Sequence, residues 1–118
     1  MADERYLVAA ASSDGIVVNN HFGHATTFYI YEVTDESVSF IEKREVTPVC
    51  HLGEHDDDKL QENASVLSDC EYLLVSKVGD GARAVLESKG ITCYEIPGFI
   101  PESIDKMQRY EKVKNLFS

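Results

Sequence analysis

The run Tyr6-Leu7-Val8-Ala9-Ala10-Ala11 constrains the fold more than any other stretch. It is nearly continuous in apolar residues, and Ser12-Ser13-Asp14-Gly15 stops it with turn chemistry. A short strand that is apolar on both sides must be covered on both sides, so it belongs in the middle of a sheet with layers above and below. Segments 28–33 and 38–44 alternate, or nearly alternate, around Thr34-Asp35-Glu36-Ser37, which predicts a hairpin of two antiparallel strands. Segment 46–55, with Pro48 and Gly53, reads as irregular.

A helix is expected from about Asp56-Asp57-Asp58, whose carboxylates suit the positive end of a helix dipole, with Leu60, Ala64 and Leu67 on one face. Tyr72 to Val75 reads as a strand. The helix after Gly79-Asp80-Gly81 buries Ala82, Val85 and Leu86 and stops at Gly90, and a further strand occupies 91–96. Pro101 opens a last helix in which Ile104 and Met107, and later Val113 and Leu116 or Phe117, are expected to face the sheet. The late strand-helix-strand step requires parallel neighbours joined by a right-handed crossover. The predicted class is therefore α/β: a mixed five-stranded sheet, an antiparallel hairpin plus parallel strands, with helices on both faces. At 118 residues and 43% hydrophobic content there is room for one ordinary core, so a single domain over 1–118 is expected.

The 21 acidic against 11 basic side chains give a formal charge of -10, which argues against nucleic acid as a partner. The one loose basic cluster, Lys106, Arg109, Lys112 and Lys114, has the spacing of a solvated helix face. No stretch approaches the roughly 20 apolar residues that cross a bilayer, and Met1-Ala2-Asp3-Glu4 lacks the basic start of a secretory signal. A cytoplasmic protein with no membrane partner is expected. The three cysteines are odd in number and far apart, which suits reduced thiols; Cys70 and Cys93 read as small core residues.

Two constellations could carry chemistry, and together they hold every histidine of the chain. Asn19-Asn20-His21-Phe22-Gly23-His24-Ala25 crowds two imidazoles, two amides and a glycine just after an apolar run. Imidazole is a common donor to iron, copper, nickel and zinc, and Gly23 lets the backbone bend toward a guest. Two solvated histidines in a surface loop are the competing reading, and His21 is the first choice as a ligand. Cys50-His51-Leu52-Gly53-Glu54-His55 offers a thiol and two imidazoles within six residues. It lacks the spacing of a zinc signature, so an exposed pair of histidines beside a half-buried cysteine stands as its alternative. A soft or borderline metal centre held between the two segments unites them, with His21, Cys50, His51 and His55 as metal donors.

Segment 76–82, Ser76-Lys77-Val78-Gly79-Asp80-Gly81-Ala82, joins a strand to a helix. Backbone amides near Gly79 and Gly81 could receive an anion there, though tight packing of the turn explains the glycines equally well. In such sheets ligands gather at the carboxyl ends of parallel strands. The first strand carries no carboxylate for magnesium, no serine lies in a GxSxG elbow, and no nucleophile, base and orienter set is evident. Binding is thus favoured over catalysis, and the chain is not expected to be an enzyme.

The stretch VAAASSDGIVVNNHFGHATTFYIYEV, the Cys/His loop, LSDCEYLLVSKVGDGARAVLESKGI and the closing helix resemble the dinitrogenase iron-molybdenum cofactor biosynthesis domain family, the type of domain in NifX and NafY and at the C-terminus of NifB. The resemblance covers roughly 6–102. It implies a ribonuclease H-like three-layer fold and non-catalytic binding, carrying or storage of iron-molybdenum cofactor or a related molybdenum-, iron- or copper-sulfur cluster during cofactor assembly. It also implies cluster donor or acceptor proteins as partners. In that family the histidine of the HFG motif is a candidate cluster ligand, which carries over to His21, and Cys50 falls where many relatives place a cysteine. Amide donors from Asn20, Gly23 and the Gly79 to Gly81 turn, with His24 beside them, would complete the cofactor-binding set. The alternatives are a small regulatory or structural zinc or iron protein, built on Cys50, His51 and His55, and a metal-free adaptor.

Overall fold

A computed structural model describes residues 5–51, 54–55 and 57–117. In chain order the elements are β1 (Tyr6–Ala11), β2 (Val17–Val18), a 3-10 turn over Phe22–His24, β3 (Thr27–Val33), β4 (Val38–Glu45), β5 (Cys50–His51), β6 (Glu54–His55), α1 (Asp57–Val66), β7 (Tyr72–Val75), α2 (Asp80–Ser88), β8 (Thr92–Glu95), β9 (Gly98–Phe99) and α3 (Ile100–Leu116). Five strands form one sheet in the order β4-β3-β1-β7-β8. β1 lies at its centre, antiparallel to β3 and parallel to β7, while β3–β4 is antiparallel and β7–β8 parallel. The apolar run, the hairpin and the crossovers thus fall where the sequence predicts them. Two small ribbons lie beyond that pattern: β2 pairs with β9, and β5 pairs with β6 within the irregular-looking segment 46–55.

The period-two alternation of the central strands divides the core in two. Ala9 and Ala11 of β1, Phe28 and Ile30 of β3 and Leu73 and Val75 of β7 meet Leu60, Ala64 and Leu67 in and after α1, and Ala82 and Leu86 of α2. Val8 and Ala10, with Leu74, meet Ile100, Ile104 and Met107 of α3 on the opposite face. β1 needs small residues because helices press on both of its sides, and its four last positions are fully buried. Each fully buried Leu, Ile or Phe contributes roughly 1.5–3 kcal/mol relative to exposure. Cys70 and Cys93 are core residues, and burial, the leading cause in each case, pushes their thiol pKa values up to about 12 and about 11.

The expectation for the end of α3 is corrected. Ile104 and Met107 are buried, but Val113, Leu116 and Phe117 are 53%, 80% and 86% exposed. Past Met107 the contact with the sheet runs through tyrosines: Tyr110 stacks on Tyr94 with ring centroids 6.2 Å apart, and the Glu111 carboxylate accepts hydrogen bonds from the Tyr72 and Tyr94 hydroxyls. The last turns therefore carry an apolar stripe with no part of the sheet opposite it.

The turn after β1 is closed by side chains. Ser12 Oγ accepts from the amides of Asp14 and Gly15, and Asp14 Oδ1 accepts from Ile16 N at 2.8 Å and Val17 N at 3.2 Å. These backbone bonds hold the Asp14 carboxyl below its usual range. Asn19 exchanges two hydrogen bonds with Ser13, accepting from its amide and donating to its hydroxyl. The chain leaves this turn beside the carboxyl end of β1.

Candidate functional site

The segment after β2 docks as an extra rung at the carboxyl end of the sheet. The Ser76 amide donates to Asn20 C=O and the Phe22 amide to Lys77 C=O, each at 3.0 Å, so His21 and Lys77 form an isolated parallel bridge. Phe22 is 1% exposed, within the α1/α2 core, its ring 5.9 Å from that of Phe28. With that anchor sunk, the 3-10 turn closes through His24 N–H to His21 C=O at 3.1 Å. Both histidines are exposed, and their ring centroids lie 5.8 Å apart, so a helical turn does place them side by side.

Opposite this turn lies Cys50, half-buried, at the start of β5. Its thiol occupies the space a side chain at residue 23 would need: a Cβ built on Gly23 would be 2.7 Å from Cys50 Sγ. Close approach, rather than an unusual backbone angle, requires this glycine, since among the described residues the positive-φ glycines are Gly15, Gly90 and Gly98. The third wall is the connection from β7 into α2. Gly79 is the N-cap and offers no side-chain cap, and a Cβ at Gly79 or Gly81 would meet nothing within 4 Å. Bare backbone here borders open space, not a packed turn. Nearby, Val78 N–H donates to Glu95 Oε2 at 2.9 Å.

These walls enclose a cavity of about 370 Å³, in the range of small-ligand sites. His21, Gly23, His24, Cys50, Gly79 and Gly81 all line it, with Phe22, Val49, Lys77 and Ala82. Asn20 is not among the lining residues: its amide donates to Ala11 C=O at 3.3 Å and its carbonyl takes the Ser76 amide, so its backbone is spent on the sheet. His51 and His55 are placed as backbone only, in a register that sets Cys50 opposite His55. Their side chains, with Leu52, Gly53 and Asp56, lie outside the described residues. Among the described residues no group of three or more His, Cys, Asp or Glu is placed to hold a metal ion. What the arrangement supplies is two imidazoles and one thiol, donors suited to soft and borderline metals, beside a lysine and backbone amides suited to an anion. Lys77 is the functional candidate that motif reading passes over; its place just beyond a parallel strand's carboxyl end is the signal that finds it.

Fold and cavity together describe an α/β domain with a lined cavity at the carboxyl ends of β1 and β7. The profile described as dinitrogenase iron-molybdenum cofactor matches residues 4–110, and the chain belongs to that family, which is tied to cofactor biosynthesis and nitrogen fixation. The FeMo cofactor biosynthesis protein NifB of Frankia alni is 40% identical over 104 residues, covering 86% of this chain and 20% of that protein. NifB of Chlorobaculum tepidum is 30% identical over 118 residues, covering 97% of this chain and 26% of that protein. The chain thus spans about a fifth to a quarter of the length of these curated relatives. Among solved structures, the crystal structure of PH0822 superposes with a TM-score of 0.63 at 25% identity over 81% of this chain and 82% of that one. The NMR structure of TM1290 from Thermotoga, of the DUF35 family, does so with a TM-score of 0.59 at 28% identity over 88% of each chain. Among the described residues no helix is long and apolar enough to cross a membrane.

Proposed function

We propose that this chain is a non-catalytic carrier or store of a metal-sulfur cluster, acting as one domain over 1–118 in the cytoplasm and exchanging its cargo with cluster donor and acceptor proteins. The cargo is iron-molybdenum cofactor or a related molybdenum-, iron- or copper-sulfur cluster. The observation that carries this reading is the convergence of His21, His24 and Cys50 on one cavity in a member of a cofactor-assembly family. A carrier must hold its cargo firmly enough to shield it and loosely enough to release it, and a few ligands on an open wall suit that task. His21 and Cys50 are the proposed metal donors, with amides of the 3-10 turn and of the Gly79 to Gly81 turn as hydrogen-bond donors to sulfide. The antiparallel β4-β3-β1 half joined to parallel β7 and β8 supports a ribonuclease H-like name for the fold.

The test is anaerobic titration of the protein with isolated iron-molybdenum cofactor, followed by absorbance and gel filtration. The wild type is expected to take up one equivalent of colour, and His21→Ala to retain little. Retention at the wild-type level by both His21→Ala and His21→Ala/Cys50→Ala refutes the assignment. A second reading, a mononuclear zinc or iron site on Cys50, His51 and His55, draws on the register that sets Cys50 opposite His55. It predicts one equivalent of zinc without sulfide, lost in Cys50→Ser.

A further inference from the structure

We propose that Lys77 sets the charge of the guest, so that the cavity selects an anionic metal-sulfur species over a bare cation of equal affinity for imidazole and thiol. The proposal rests on the cluster-binding reading and adds to it a residue that chooses among soft-metal guests. Among the described residues, Lys77 is the one lysine or arginine lining the cavity, and no described Asp or Glu lines it. In a chain carrying -10 overall, a described lining with a lysine and no carboxylate runs against the molecule's own field. Among the described residues no carboxylate lies within ion-pair distance of Lys77. Glu95, on the neighbouring β8, turns one carboxylate oxygen onto the Val78 amide at 2.9 Å.

The backbone explains why this lysine is dependable. Lys77 C=O takes the Phe22 amide and Lys77 bridges His21, so cation and first metal donor project from a single rung of the sheet, held by the buried Phe22. With His21 and Lys77 paired on adjacent backbone, the flexible lysine stem can bring the ammonium to a guest seated on His21 and follow a cluster that enters or leaves. Bare Zn²⁺ or Co²⁺ seated on the same donors meets the ammonium as a like charge.

The test uses the full chain under anaerobic conditions with two probes, tetrathiomolybdate as the metal-sulfur anion and Co²⁺ as the cation, for wild type, Lys77→Arg and Lys77→Glu. Lys77→Arg keeps the charge and should bind tetrathiomolybdate within about 3-fold of wild type, while Lys77→Glu should lose about 100-fold, the effect of reversing one charge a few ångströms away. Co²⁺ should bind Lys77→Glu as tightly as wild type or tighter. Raising salt should weaken tetrathiomolybdate binding to wild type more than to Lys77→Glu. Unchanged tetrathiomolybdate affinity in Lys77→Glu overturns the proposal, as does a parallel loss of both probes, which would mean a purely structural lysine. If wild type binds Co²⁺ but no tetrathiomolybdate, the cluster-binding reading itself falls and takes the proposal with it.

Discussion

Replacing Gly23 by Ala tests the cavity's construction while leaving both proposed metal-donor side chains, His21 and Cys50, in the sequence. The new Cβ would lie 2.7 Å from Cys50 Sγ but 3.6 Å from Cys50 Cβ, so the clash is with the sulfur alone. Either the thiol turns out of its position or the 3-10 turn and β5 separate; inserting a methyl group into such a contact costs about 1–3 kcal/mol. Because Gly23 does not occupy the left-handed region, the backbone adds no strain of its own. Removing the sulfur should therefore remove the penalty. In a Cys50→Ala background, Gly23→Ala should be neutral, or stabilising by a few tenths of a kcal/mol through loss of unfolded-state freedom. Urea unfolding of the four proteins of this cycle measures the coupling, expected at about 1–3 kcal/mol, and a thermal scan should show about 3–6 °C per kcal/mol for a chain of this size. A Gly23→Ala cost that is the same with and without the Cys50 sulfur would refute the placement of the thiol over Gly23, and with it the shared wall of the cavity.

Arg44 donates to both oxygens of Asp69, at 2.6 and 2.9 Å, and to Val66 C=O, tying edge strand β4 to the end of α1. Arg44→Ala should cost about 0.5–2 kcal/mol at neutral pH, a modest figure because Asp69 is half exposed. The Arg44 hydrogen bond, the leading cause, holds the Asp69 carboxyl below its usual range, so its stabilisation is complete above the unfolded pKa and is lost as pH falls through the folded one. Stability curves of mutant and wild type should run parallel above about pH 5 and converge in acid; divergence in acid would contradict the pairing. Gly15 has φ +77° and a Cβ there would stand 2.7 Å from the Tyr29 ring, so Gly15→Ala should lower the urea midpoint by the equivalent of about 1–3 kcal/mol. With Cys70 and Cys93 buried and their thiol pKa values raised, one equivalent of thiol should react quickly with a disulfide reagent near neutral pH; Cys50→Ser should abolish that phase, and a persisting fast thiol would contradict the burial of the other two.

What was legible in the chain follows from which forces act locally. The β1 run announced its own position because an all-apolar six-residue strand has no stable place except between two layers. Leu60, Ala64 and Leu67 were readable because helical spacing and burial coincide there. The same spacing misled at Val113, Leu116 and Phe117: periodicity describes a stripe, but the sheet ends at β8 and leaves that stripe without a partner. Near the site, His21, Gly23 and His24 stood out through donor chemistry. Their neighbours Asn19 and Asn20 did not reveal their tasks, since one closes a turn through Ser13 and the other gives its backbone to the sheet. Lys77 was hidden because a lysine between strand and helix reads as solvated; only the pairing of 20–22 with 76–77 brings it to His21.

Elemental analysis of the anaerobically isolated protein tests the central claim most directly, with molybdenum, iron, copper, zinc and sulfide measured in wild type, His21→Ala and Cys50→Ala after isolation from cells that assemble metal-sulfur cofactors. The account predicts molybdenum, iron or copper together with sulfide in wild type, sharply reduced in both variants. A wild-type protein carrying zinc alone, or metal and sulfide retained equally by all three proteins, would contradict it.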